Sequence, residues 1–128
     1  MSIFKNIFGN NDEVKSTSKL NWKQLSNLGQ LNEITELSEE KAVVIFKHST
    51  TCSISRMVLR NFENEYNQDN NLEIYFLDLL KNRDISNEIA NKFSVVHQSP
   101  QILVIKNGVS VYNASHENIH ADDLLQFN

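Results

Sequence analysis

The dipeptide Asn107-Gly108 stands between two strand-like runs, and it constrains the fold of this chain more than any other local signal. The first run covers residues 101–106 and the second covers residues 109–113, and both are rich in residues that favour strands. Asn and Gly adopt the positive φ angles that a two-residue hairpin turn requires. The sequence therefore predicts an antiparallel β-hairpin, followed by a short helix within residues 121–127.

Strand and helix patterns alternate upstream of this hairpin. Apolar and β-branched runs predict strands within residues 20–25, 42–46 and 72–78. Apolar residues at helical spacing predict helices within residues 31–37, 53–66 and 85–93. The alternation alone indicates an α/β fold, and the hairpin after the third helix narrows it. The predicted order, βαβαβα-ββα, is the thioredoxin-like arrangement of a central mixed sheet flanked by helices.

The length of 128 residues fits one domain. Residues 10–19 are polar and aperiodic, so we expect residues 1–19 to form a flexible N-terminal arm and residues 20–128 to form the thioredoxin-like domain. The net charge of -4 argues against nucleic acid or an anionic membrane as a partner, because both attract clustered Lys and Arg. We expect a monomer.

Cys52 is the only cysteine, which excludes an intramolecular disulfide and a zinc site built from several thiolates. A chain without disulfides fits a reducing compartment. The N-terminal segment lacks the unbroken apolar run and cleavage site of a signal peptide, and no segment approaches the length of a membrane-spanning helix. These features predict a cytoplasmic protein.

Cys52 lies between a predicted buried strand and the amphipathic helix that follows it. Thr51 is the predicted N-cap, which would place Cys52 in the first helical turn. Free backbone N–H groups and the helix dipole stabilise a thiolate there, and the thiolate is the nucleophile. A lone cysteine is often an inert buried thiol, but the polar turn before Cys52 favours a reactive one.

Ser55 follows Cys52 by three residues and gives the pattern C-x-x-S. Oxidoreductases with two thiols carry a second cysteine at this offset, which resolves the mixed disulfide. A serine cannot do so, and the resolving thiol must come from elsewhere, most simply from a small cellular thiol. Ser55 itself is either a hydrogen-bond donor to the thiolate or a solvated helix residue.

Pro100 is the only proline and stands directly before the predicted hairpin. In thioredoxin-like folds a cis-proline begins this strand and faces the reactive cysteine. We therefore expect a cis Ser99–Pro100 bond, with Ser99 and Pro100 forming the wall of the substrate site.

Residues 46–56 read Phe-Lys-His-Ser-Thr-Thr-Cys-Ser-Ile-Ser-Arg, and Ser-Pro-Gln follows at residues 99–101. These segments resemble the monothiol bacilliredoxin family of thioredoxin-fold proteins, and the similarity extends over most of residues 20–127. The resemblance implies that Cys52 attacks a protein–bacillithiol mixed disulfide, accepts the bacillithiol and frees the client thiol. Bacillithiol is then a co-substrate, and no bound cofactor is implied. A second bacillithiol, or a reductase coupled to it, would reset Cys52.

The resemblance also suggests contacts to the substrate. Bacillithiol carries carboxylates, for which Lys47 and Arg56 are the candidate partners. Ser53, beside the sulfur, stands where the family usually has proline, a residue suited to the first helical turn. Serine restores an N–H and a hydroxyl there, which can change the redox potential in either direction.

His48 has two interpretations: a proton shuttle near Cys52, or a strand-end residue held by a backbone hydrogen bond, which we favour. His97, His116 and His120 have no partners at metal-ligand spacing, so no metal site is predicted. Two other functions stay open. One is a non-catalytic binding or adaptor module, and the other is an iron–sulfur carrier of the monothiol glutaredoxin type, which typically shows C-G-F-S at this place.

Overall fold

A five-stranded mixed sheet forms the centre of the computed structural model, which describes residues 20–67 and 69–128. The strands are β1 (Lys23–Gln24), β2 (Val43–His48), β3 (Glu73–Asp78), β4 (Gln101–Lys106) and β5 (Val109–Ser115). The helices are α1 (Gln30–Leu37), α2 (Ser53–Glu65) and α3 (Arg83–Lys92), with two 3₁₀ helices at His116–Asn118 and Ala121–Phe127. The thioredoxin-like order predicted from the sequence is confirmed.

Strand β2 lies in the middle of the sheet, whose order is β1-β3-β2-β4-β5. It runs parallel to β3 on one side and antiparallel to β4 on the other. Every residue of β2 is buried, as expected of a strand covered by helices on both faces. The turn and helix that follow β2 therefore begin at the centre of one sheet edge.

Alternation along β2 divides its side chains between two apolar cores. Val43 and Ile45 belong to the core that contains apolar residues of α1 and α3. Val44 and Phe46 belong to the core that contains Val58 and other apolar residues of α2. Hence the side chains of Lys47 and His48, the two polar residues at the end of the strand, also face opposite sides of the sheet.

Trp22 lies partly buried against the second core. Its ring centroid is 5.9 Å from that of Phe46, 5.9 Å from that of Phe62 and 5.5 Å from that of Phe76. Its indole N–H donates to Glu63 Oε2 at 2.7 Å. These contacts join the residue directly before β1 to β2, β3 and α2.

Some elements differ in detail from the prediction. Strand β2 extends past the apolar run to Lys47 and His48, because both residues continue the pairing with β3. The last helix, Ala121–Phe127, is a 3₁₀ helix. The predicted hairpin turn is confirmed, with positive φ at both Asn107 (53°) and Gly108 (79°).

The predicted N-terminal arm, residues 1–19, lies outside the described residues. Within the described part of the chain, no helix is long and apolar enough to cross a membrane.

Candidate active site

Cys52 occupies the N-cap of α2 itself, with extended backbone angles (φ -103°, ψ 122°). Its carbonyl oxygen accepts the first helical hydrogen bond from the Arg56 N–H at 3.0 Å, and its own N–H donates to the Ser49 carbonyl oxygen at 3.3 Å. The prediction of Thr51 as N-cap is therefore wrong by one residue. Cys52 is partly exposed, and the free N–H groups of the first turn begin directly after it.

Ser55 is buried and holds the turn that precedes Cys52. Its Oγ lies 2.8 Å from His48 Nδ1 and accepts a hydrogen bond from the Ser49 N–H at 3.1 Å. Ser55 is 0% exposed, so the alternative of a solvated helix residue is wrong. The hydroxyl is bonded to the turn, and its contact with a thiolate stays a prediction.

The ring of His48 is buried beneath this turn. It contacts Ser55 Oγ, and its centroid lies 5.5 Å from that of Phe76. Burial lowers the pKa of His48, while the negative charges of Asp78 and Glu63 oppose that shift. The geometry agrees with a structural role for His48, although the ring is held by a side chain instead of the backbone.

Lys47 extends to the opposite face of the sheet from His48 and is fully buried, with 0% exposure. Its Nζ lies 2.7 Å from His97 Nδ1 and donates to Gln101 Oε1 at 3.0 Å. Burial lowers the pKa of Lys47 to about 8. The prediction that Lys47 contacts a substrate carboxylate is wrong, because its amine is enclosed by the protein.

Three other predicted residues lie exposed around Cys52. The Arg56 side chain donates from Nη1 to the Thr50 carbonyl oxygen at 3.1 Å, which holds it over the turn. Thr51 Oγ1 is 3.5 Å from Ser49 Oγ. Ser53 is the first residue of α2. The roles of Arg56 and Ser53 in substrate binding stay predictions.

The Ser99–Pro100 peptide bond is cis, as predicted. Lys47 pairs with Gln101 in the antiparallel β2–β4 ladder, so continuing that register places Pro100 next to His48 and Ser99 next to Ser49. The Ser99–Pro100 bond thus lies beside the turn that bonds to Cys52. Ser99 Oγ is buried and, within the described structure, has no hydrogen-bond partner.

Gln101 and His97 also lie next to this site, and neither role was predicted from the sequence. The Gln101 side chain accepts a hydrogen bond from the Gln98 N–H at 3.3 Å and donates to the Val96 carbonyl oxygen at 3.0 Å. His97 provides the nitrogen that contacts Lys47. The alternation of side chains along β2 could have indicated the buried position of Lys47, because it places Lys47 on the same face of the sheet as Val43 and Ile45.

No group of three or more His, Cys, Asp or Glu side chains among residues 20–67 and 69–128 is arranged to hold a metal ion.

Residues 23–124 match the family model described as monothiol bacilliredoxin BrxC. The chain belongs to the monothiol bacilliredoxin family. The matched range of this bacilliredoxin includes Cys52, the turn before it and the cis-proline segment.

Solved structures share the thioredoxin fold of this chain. A thioredoxin-fold protein assigned as an oxidoreductase is 36% identical to this bacilliredoxin, with a TM-score of 0.69 over 80% of this chain and 89% of the other. The thioredoxin of Malassezia sympodialis is 19% identical, with a TM-score of 0.65 over 86% and 90% of the two chains. The thioredoxin of Fasciola hepatica is 20% identical, with a TM-score of 0.61 over 81% and 93%. The two thioredoxins show the shared fold, and the family places this bacilliredoxin among thiol–disulfide redox proteins.

Proposed function

We propose that this bacilliredoxin removes bacillithiol from protein mixed disulfides, with Cys52 as the nucleophile. The observation that carries the proposal is the position of Cys52, partly exposed at the N-cap of α2 in a chain that matches the monothiol bacilliredoxin model. Helix N-termini stabilise anions, and a thiolate is the anion that attacks a disulfide. Membership of the family supports bacillithiol as the co-substrate.

In the proposed step the Cys52 thiolate attacks the bacillithiol sulfur of the mixed disulfide. The bond between that sulfur and the client sulfur breaks, and a new disulfide joins Cys52 to bacillithiol. The client leaves as a thiolate and takes a proton from solvent. One disulfide is exchanged for another, so the step needs no outside electron donor.

A second thiol is needed to release Cys52, because the chain has only one cysteine. The thiolate of a second bacillithiol attacks the bacillithiol sulfur attached to Cys52. Cys52 leaves as a thiolate, and the two bacillithiols become joined as their disulfide. Over the cycle the client sulfur is reduced to its thiol and the second bacillithiol is oxidised, while the first bacillithiol stays at the disulfide level throughout. A reducing compartment such as the cytoplasm would supply the reduced bacillithiol.

Intact-mass measurement tests this function directly. The purified protein is mixed with a bacillithiolated client, and Cys52→Ala serves as the matched control. We expect one bacillithiol on wild-type Cys52, release of the free client thiol, and no adduct on the variant.

The contrary result would be a wild-type protein that gains no adduct and leaves the client modified. That result would favour the adaptor alternative, in which the surface around Cys52 binds a protein without exchange. The apolar side chains of Ile54 and Met57, which are 42% and 45% exposed, support this alternative, because they offer an apolar surface near Cys52 for a protein partner.

A further inference from the structure

The buried amine of Lys47 connects the central strand to the segment that leads into the cis-proline. Lys47 Nζ contacts His97 Nδ1 at 2.7 Å and Gln101 Oε1 at 3.0 Å. Across residues 20–67 and 69–128, no carboxylate forms an ion pair with it. A charge enclosed without a counter-charge is costly, and an apolar side chain would pack at that depth without the cost. The two contacts of the amine are what distinguish Lys47 from such a side chain.

The same glutamine side chain holds the main chain on both sides of His97. Gln101 Oε1 accepts the Gln98 N–H at 3.3 Å, and Gln101 Nε2 donates to the Val96 carbonyl oxygen at 3.0 Å. With the Lys47–His97 contact, three consecutive residues, 96–98, are each held by a side chain from β2 or β4. Ser99 and Pro100 follow immediately, so the position of the substrate wall depends on this segment.

We infer that Lys47 is a positioning residue for thiol exchange: together with Gln101 and His97 it fixes segment 96–98, and so the distance of Ser99–Pro100 from the Cys52 turn. This role rests on the proposed function, because it concerns how a mixed disulfide is bound beside Cys52. Lys47 does not reach the sulfur through any hydrogen bond of the described structure. Its influence acts through the wall and not on the thiol.

Lys47→Met tests this role, because methionine keeps a long unbranched side chain and removes the amine. With a bacillithiolated cysteine peptide as substrate, we expect KM to rise on the order of tenfold, since small displacements of a positioning group have large effects on rate constants. Alkylation of Cys52 by monobromobimane should change by no more than about twofold, because the thiol keeps its surroundings. Amide hydrogen exchange at Gln98 should become faster.

Two further variants complete the experiment. Lys41→Met, just before the opposite end of β2, is the matched control and should behave like wild type. His97→Ala removes an exposed side chain, so it preserves the core and carries the test should Lys47→Met not fold. It should raise KM in the same direction and by a smaller factor.

The outcomes separate the two proposals. Failure of the wild-type protein to accept bacillithiol would overturn the proposed function and this role with it. Normal wild-type transfer, with an unchanged KM in Lys47→Met, or in His97→Ala should Lys47→Met not fold, would overturn the positioning role alone. A raised KM accompanied by equally slowed alkylation of Cys52 would also overturn it, because the effect would then act on the thiol.

Discussion

At the scale of single residues, two serine hydroxyls near Cys52 have opposite hydrogen-bonding states. Ser55 Oγ is buried with two partners, His48 Nδ1 and the Ser49 N–H. Ser99 Oγ is also buried, yet no described group bonds to it. Removing a buried hydroxyl that has partners leaves those partners unsatisfied, whereas removing an unpartnered one relieves a desolvation cost. The two positions should therefore respond differently to alanine.

Ser55→Ala should lower the free energy of unfolding by about 1–3 kcal/mol, because it leaves a partly buried N–H and a buried ring nitrogen without this partner. Urea denaturation measures the change. Ser53→Ala, at the exposed first residue of α2, is the control and should stay within about 0.5 kcal/mol of wild type. Equal stabilities for the two variants would contradict the hydrogen bonds assigned to Ser55.

Ser99→Ala should leave the free energy of unfolding unchanged or raise it by up to about 1 kcal/mol. The same urea titration provides the measurement, with Ser55→Ala as the contrasting variant. A loss of stability as large as that of Ser55→Ala would mean that Ser99 Oγ has a partner in solution.

At the scale of elements, the β4–β5 hairpin depends on a turn with two residues in the left-handed region. Asn107 has φ 53° and Gly108 has φ 79°. A Cβ added at Gly108 would lie 3.5 Å from Thr35 Cγ2, which is an ordinary contact. The backbone conformation, and not crowding, therefore makes glycine the suitable residue at Gly108.

Gly108→Ala should lower the free energy of unfolding by about 1 kcal/mol, since L-residues pay a steric cost in the left-handed region. Thermal unfolding followed by circular dichroism measures the loss. Asn107→Gly is the matched control in the same turn and should have little effect, because glycine adopts positive φ freely. Were Gly108→Ala as stable as wild type, the turn would have to adopt another conformation in solution.

Local patterns were enough to predict most elements and the placement of Cys52. Apolar periodicity marked α1, α2 and α3, and the Asn-Gly dipeptide marked the hairpin. The end of β2 was missed because Lys47 and His48 interrupt the apolar run, and only pairing with β3 shows that they continue the strand. The N-cap was misplaced by one residue because Thr51 is a common capping type.

The environment of Lys47 could not be predicted from local pattern. Its contacts with His97 and Gln101 join residues separated by 50 and 54 positions, and they depend on the β2–β4 register. Spacing near Cys52 suggested a surface role, whereas strand alternation places the side chain beneath the sheet. The β2–β4 register, which pairs residues far apart in the sequence, determines that Lys47 is buried and not at the surface.

At the scale of the whole molecule, the surroundings of two histidines, the buried His48 and the more exposed His97, link folding to pH. Burial is the main cause that lowers the pKa of both His48 and His97 from the ordinary 6.5, and the positive charges of Lys47 and Arg83 lower that of His97 further. At these two histidines the unfolded chain therefore binds more protons than the folded one at pH values below about 6.5, so their contribution to the free energy of unfolding rises with pH in this window. The stability that the two pKa shifts contribute is fully present above the pKa of histidine in the unfolded chain. It is lost as pH falls through the lower pKa values of His48 and His97 in the folded protein.

The urea midpoint should fall when pH is lowered from about 7 to about 5. Titrations at several pH values measure the slope, and His97→Gln should make it shallower, because one of the two shifted groups is removed. A midpoint that stays constant or rises over this range would contradict the assigned directions.

The packing of Trp22 has a practical consequence for solution work. It is the only tryptophan of the chain, and it touches Phe76, whose ring also contacts His48 beneath the Cys52 turn. The fluorescent indole ring is thus separated by one aromatic ring, that of Phe76, from His48, which contacts Ser55. Without any attached label, fluorescence of the native chain reports both on loss of the α2 core and on events at the turn.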